Sequence, residues 1–184
     1  MESITDNALM QKVKMNDLDK LGLLYERYKG QLFGFFFNMN RDKDLSEDLV
    51  QNVFIRVIKY KHSFKGDGEF KTWLFHIARN ANYDCYKKNK RTETVRLDDT
   101  CQVQIVEDNN LAVEKENNLQ LLEKAIDKLD YDKKELLTMS KLKRMKYKEI
   151  GEVIGCTEGS VKVKVFRALK ELKVVYEQVL LETN

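Results

Sequence analysis

Residues 69–91 read EFKTWLFHIARNANYDCYKKNKR. No Pro or Gly interrupts the stretch, so it is predicted to form one helix. At about 100° per residue, Phe70, Leu74, Ile77, Ala78, Ala81 and Cys85 share one side. That is an ordinary apolar stripe. Thr72, His76, Arg79, Asn80, Tyr83, Lys87 and Lys90 fall opposite, within an arc of about 100°. This second face holds donors, cations and an aromatic ring, and no carboxylate. Trp73 lies on the border. The stretch alone leaves two readings open: a solvated helix face, or a surface that reads nucleic acid.

The rest of the chain limits the choice. Its 184 residues suit one domain or two small ones, and 42% hydrophobic residues suffice for a core. There is no Pro, and no segment alternates apolar and polar residues over a strand's length, so the fold is predicted to be all-α. No apolar run is long enough to span a bilayer, so no membrane insertion is expected. LFGFFF at 32–37 is core-forming in this reading. The start, MESITDNALMQK, lacks the features of a signal peptide, and a cytoplasmic protein is expected. Cys85, Cys101 and Cys156 are widely spaced, and His62 and His76 are the only histidines. Neither a disulfide framework nor a metal site is indicated. GxGxxG, P-loop and GxSxG motifs are absent. No catalytic residue and no cofactor is expected, and the chain does not read as an enzyme.

Charge divides the chain in three. Residues 1–91 hold 17 basic and 12 acidic side chains, a net charge of +5. Residues 92–118 hold 2 and 7, net −5, and residues 119–184 hold 14 and 11, net +3. The layout predicts two small helical domains, 1–91 and 119–184, joined by an acidic linker over 92–118. The linker has two readings, a solvated acidic loop or a segment that occupies a basic channel meant for a nucleic-acid strand. A short helix from about Leu111 fits its far end.

In the last third, YKEIGEVIGCTEGSVKVKVFRALKELK at 147–173 reads as two helices with a Gly-containing turn. Gly155 is placed for a left-handed stop and Thr157 for the next N-cap. Val161, Val165, Leu169 and Leu172 form one stripe of the second helix, with Ser160, Lys164, Arg167 and Glu171 facing away. This matches a helix-turn-helix, whose second helix enters the major groove; an ordinary helical hairpin is the alternative. Five cations in KLKRMKYK at 141–148 favour contact with a DNA backbone.

In the first third, DLSEDLVQNVFIRVIKYK at 44–61 is an amphipathic helix with Ser46 as the expected N-cap, followed by the Gly-containing loop HSFKGDGEF. Together, LYERYKGQLFGFFF, SEDLVQNVFIRVIKY and FKGDGEFKTWLFHIARNANYDCYKKNKR resemble region 2 of a bacterial RNA polymerase sigma factor. The closest type is the extracytoplasmic-function (ECF) subfamily of the sigma-70 family. Residues from LEKAIDKLD to LKELK resemble region 4, so the likeness runs from about Leu21 to Leu172.

The resemblance implies a set of roles. Asp48, Gln51 and Asn52 would contact the β′ clamp helices of core RNA polymerase. Phe64, Lys65, Gly66 and Asp67 would line a pocket for a base flipped from the −10 element. Trp73, His76, Arg79, Asn80 and Tyr83 would read that element, with Lys87, Lys88 and Arg91 on its backbone. Ser160, Lys162, Lys164 and Arg167 would lie at the −35 major groove. Implied partners are core polymerase, with the β flap for region 4, promoter DNA and an anti-sigma factor. The chain departs from the family at Asn52, often Glu; near Asp130, where Pro is common; and at Ser160-Val161-Lys162-Val163-Lys164, often Thr-Val-Lys-Ser-Arg. Lys164 lacks the bidentate fork of Arg, so the family's promoter preference does not transfer.

Overall fold

The computed structural model describes residues 4–93, 110–142 and 145–183, without the side chains of 91–93, 110–116, 142 and 183. The described residues form eight α-helices and no strand, as the all-α expectation requires. They are α1 Asp6–Lys14, α2 Asp19–Asn40, α3 Lys43–Tyr60, α4 Phe70–Glu93, α5 Asn110–Asp127, α6 Tyr131–Leu137, α7 Tyr147–Ile154 and α8 Glu158–Thr183. A 3-10 turn, Lys61–Ser63, follows α3, and a π-helical turn, Thr138–Leu142, follows α6.

Two boundaries differ from the sequence reading. Asp42, not Ser46, caps α3: its carboxylate accepts from Leu45 N at 2.9 Å, one turn earlier than expected. Ser46 lies inside the helix, fully buried, its hydroxyl donating to Asp42 O. The linker's far boundary also shifts: the short helix expected from about Leu111 is the start of α5, which runs on to Asp127, and residues 92–93 end α4. Residues 94–109, with Cys101, lie outside the described residues.

α4 sits against α2 and α3 and carries the opening stretch. Phe70, Leu74, Ala78 and Ala81 are buried, as the wheel predicts. Phe75 is also buried, edge-on to Phe35 of α2 with ring centroids 5.8 Å apart. Burying each such large side chain is worth about 1.5–3 kcal/mol. In the second half Leu136, Leu137, Met139, Ile150, Val153, Val161, Val165 and Ala168 form the core. α8 continues beyond the helix-turn-helix to pack Val179 on Leu121 and Ala125 of α5.

Gly151 lies inside α7, where Gly costs about 1 kcal/mol against Ala. Here a Cβ would stand 2.5 Å from the Cys156 carbonyl oxygen. The turn between α7 and α8 approaches too closely for any side chain. Gly155 ends α7 with φ 75°, and the Thr157 hydroxyl accepts from Ser160 N at 3.2 Å, both as predicted.

The two halves are not separate bodies. One apolar cluster runs through both. Ion pairs cross the seam from Arg41 to Glu123 at 3.1 Å and to Asp127 at 3.4 Å, and from Lys71 to Glu149 at 3.7 Å. Asn82, fully buried, accepts from Asn40 at 2.7 Å and donates to the Tyr131 hydroxyl at 2.8 Å.

Candidate nucleic-acid interface

The face of α4 opposite the core is two surfaces rather than one. Trp73, His76, Ile77, Asn80 and Asp84 recur at helical spacing and line an open cleft with Arg56, Tyr60 and Ser63 of the α3 end. Its volume is about 620 Å3, enough for an unstacked base and sugar. Trp73 is half-buried, its ring 5.4 Å from Phe64 and 6.0 Å from Phe70, with one edge left to the cleft. His76 Nδ1 and Asn80 Nδ2 pair at 3.3 Å and are otherwise exposed. Arg56 is anchored between Asp84, at 2.9 Å, and Asn52, at 2.8 Å. Arg56, Tyr60, Ser63 and Asp84 were missed in sequence because they come from a neighbouring helix end or carry the wrong charge for a phosphate.

Arg79 and Tyr83 are not in this cleft. The Arg79 guanidinium donates to Glu135 Oε2 at 2.9 Å, and Glu135 is 2% exposed. The Tyr131 ring sits 5.9 Å from Tyr83 and 4.6 Å from Tyr86. Thr72, predicted to face outward, is buried. The single predicted reading arc is therefore split: Arg79 is engaged by Glu135 of α6, while Tyr83 touches Tyr131 and stays exposed. The wheel could not show this, because Glu135 lies 56 positions from Arg79. Burial pushes the Glu135 carboxyl above the ordinary carboxylate range, and the Arg79 bond and charge offset only part of that. Glu135 Oε1 has no hydrogen-bond partner.

In the loop before α4, Lys65 and Asp67 are exposed, and Gly66 adopts φ 85°, which favours Gly. Phe64, expected to line the same pocket, is 2% exposed and packs on Phe70 and Trp73 beneath the loop. Lys87 and Lys88 are exposed on α4, with Lys87 Nζ 4.5 Å from the centre of the Tyr83 ring. Arg91 lies in α4, and its side chain is outside the description.

On α3, Asp48, Gln51 and Asn52 are exposed on one side, as predicted. Between them Ile55 is 62% exposed, an apolar centre that the sequence reading overlooked. On α8, Ser160, Lys162, Lys164 and Arg167 are all exposed. So are Val163 and Phe166, the latter at 69%, beside Tyr147 and Leu169. Lys164 also lines a cleft of about 120 Å3 at the seam, together with Arg79, Asp132 and Glu135. No helix among the described residues is long and apolar enough to cross a membrane.

Comparison with known proteins gives the family. The family description Sigma-70 region 2 matches residues 24–92, and Sigma-70, region 4 matches residues 119–172. The chain is 30% identical to the ECF RNA polymerase sigma factor SigM of Bacillus subtilis (strain 168), over 84% of this chain and 94% of that one. It is 28% identical to the ECF RNA polymerase sigma-E factor of Escherichia coli (strain K12), over 91% and 92%. Among solved structures, CnrH in complex with the cytosolic domain of CnrY superposes with a TM-score of 0.71 at 20% identity, covering 94% of this chain and 97% of that one. The sigma factor RpoE of Bartonella quintana, solved with the anti-sigma factor NepR, gives 0.65 at 24% identity, covering 90% and 98%. The chain belongs to the ECF group of the sigma-70 family, the non-catalytic subunits that bind RNA polymerase and direct it to promoters to begin transcription.

Proposed function

We propose that α8 reads the −35 element as duplex, while loop 65–69 and the cleft face of α4 hold −10 bases taken out of the stack. The carrying observation is the cleft that gathers Trp73, His76 and Asn80 with Tyr60 and Arg56. An aromatic wall, amide and imidazole edges and a nearby cation are what an unstacked base needs. Unstacking costs a few kcal/mol per base, and such a pocket returns part of it. Asp48, Gln51, Asn52 and the exposed Ile55 would dock on the β′ clamp helices, and the second half on the β flap.

The seam supports dependence on the polymerase. The −10 and −35 elements lie about 25 base pairs apart, roughly 85 Å of duplex at about 3.4 Å per pair. Arg79 and Lys164, one candidate reader of each, line the same small cleft. Both elements cannot be engaged in this arrangement, so the halves must part before a promoter is bound. Core polymerase, with two docking places, would hold them apart. An anti-sigma factor, the kind of protein solved with the relative from Bartonella quintana, would hold the chain away from polymerase.

Run-off transcription on genomic fragments tests the reading. Purified chain plus core polymerase should initiate at discrete promoters, while either alone should not. Tight, sequence-specific binding of duplex promoter by the isolated chain would instead make it an autonomous helix-turn-helix regulator.

A further inference from the structure

The loop proposed to capture a base is held by its backbone from α1, a helix outside the stretch matched by the region 2 description. α1 presents Asn7, Gln11 and Lys14, at i, i+4 and i+7, along one side. Asn7 uses both ends of its amide: Nδ2 donates to Gly68 O at 2.9 Å, and Oδ1 accepts from Phe70 N at 2.8 Å. The Lys14 ammonium donates to Phe64 O at 2.7 Å. Gln11 lies beneath Gly66, its Nε2 2.6 Å from where a Cβ would stand. Just beyond α1, Asn16 accepts from the Lys61 side chain, which ties down the 3-10 turn ahead of the loop.

Asn7, Lys14 and Gln11 meet the loop at its backbone or at a glycine. They constrain its path and leave the Lys65 and Asp67 side chains exposed. A loop with glycines at 66 and 68 has much conformational freedom to lose when a ligand orders it. Fixing it beforehand removes that cost from binding. α1 is itself firmly seated, with Leu9, Met10 and Val13 fully buried.

We propose that α1 is a brace that sets the conformation of the base-capturing loop, with Asn7 as the main positioning residue. The proposal rests on the loop reading given above. Asn7 would act through the Gly68 carbonyl and the Phe70 amide, without touching DNA.

The test uses the full chain with Asn7→Ala and Asn7→Asp. Asp keeps the acceptor for Phe70 N and loses the donor to Gly68 O. Hydrogen exchange of the free chain should show the amides of 65–69 opening at least about ten-fold faster in both variants, with α3 and α8 unchanged. In holoenzyme, the second probe is 12-nucleotide non-template-strand oligonucleotides taken from a promoter mapped by run-off. Each of the four bases is placed in turn at the captured position. Asn7→Ala should flatten the base preference about five-fold and leave affinity for core polymerase and for −35 duplex unchanged. An Asn7→Asp chain indistinguishable from wild type on both readouts reduces Asn7 to a helix cap and overturns the proposal. Equal loss of core binding, helix content and base preference in Asn7→Ala also overturns it, as a folding defect. Lys65→Ala and Asp67→Ala separate the two ideas. If they leave base preference unchanged while Asn7→Ala still loosens the loop, the loop reading fails and takes the proposal with it. If they change the preference and Asn7→Ala does not, only the brace fails.

Discussion

α4 and α8 both carry a row of candidate readers, and the two rows are exposed very differently. On α8, Lys162, Lys164 and Arg167 face outward. On α4, Trp73, His76 and Asn80 open onto a cleft, while Arg79 is half-buried and tied to Glu135 of α6, and Tyr83 stays exposed beside Tyr131. The cover is electrostatic in design. Arg41, Lys71 and Arg79 of the basic first half meet Glu123, Asp127, Glu135 and Glu149 of the second. Carboxylates stand where DNA phosphates would be drawn. The cover is also imperfect, since Glu135 Oε1 is buried without a protein partner. An unmet group of this kind weakens burial by about 1–3 kcal/mol. A seam that adds such an unmet group to the apolar cluster joining the halves closes and can also be opened.

The contrast breaks most sharply at Glu135. In Glu135→Arg two guanidiniums would face each other across a buried contact that now holds an ion pair at 2.9 Å. Loss of such a pair costs about 3–5 kcal/mol. The seam should open, and small-angle scattering should show the radius of gyration rising by several Å from the roughly 16 Å of a compact chain this size. Circular dichroism should show helix content retained. An unchanged radius would mean that packing alone holds the halves together. Tyr131→Phe should act less strongly. It removes the acceptor for Asn82 Nδ2 and leaves a fully buried amide group unmet, a cost of about 1–3 kcal/mol. Amide exchange around Asn82 should accelerate, with the α5–α8 contact unaffected.

Much of this was legible in the residues, and the remainder has identifiable reasons. The apolar stripe of α4, the Gly155 stop and the Thr157 cap follow from local geometry and were read correctly. Fold class followed from the absence of Pro and the helical periodicity. Asn7, Gln11 and Lys14 drew no notice, since ordinary polar residues on a short helix gain meaning only when a distant loop passes over them. Glu135 was unremarkable for the same reason. The burial of Phe64 was not legible, because a resemblance assigns a position to a loop and cannot say which way its ring turns. Gly151 made sense only once the backbone of Cys156 was located.

The α8 side of the comparison is sharpened by Lys164→Ala. Lys164 lines the seam cleft with Arg79 and Glu135 in the closed chain and is an exposed residue. A single phosphate contact removed should lower −35 duplex affinity of the holoenzyme several-fold and reduce the salt slope by about 1. Opening of a pre-melted template should be nearly unchanged. Equal loss on both templates would place Lys164 in the seam rather than at the groove.

The smallest effect tests what kind of contact Glu135 makes. Burial holds its carboxyl above the ordinary 4.5, by more than Arg79 pulls it down. The closed chain therefore binds this proton more tightly than an opened one. The contribution to closure is fully present below about pH 4.5, and it is lost as pH rises through the elevated value. Arg79, Tyr131, Asp132 and Lys164 surround the group, so one pH profile cannot isolate it. The difference between wild type and Glu135→Gln can. Gln mimics the protonated acid and still accepts from Arg79. Its closed fraction at neutral pH, followed by scattering, should stay within about 1 kcal/mol of wild type, on the favourable side. The gap between the two proteins should narrow as the pH is lowered. A Glu135→Gln chain that opens at neutral pH would show instead that the charge itself holds the seam. Arg79 would then be released only when something more strongly negative, such as a DNA backbone, replaces it.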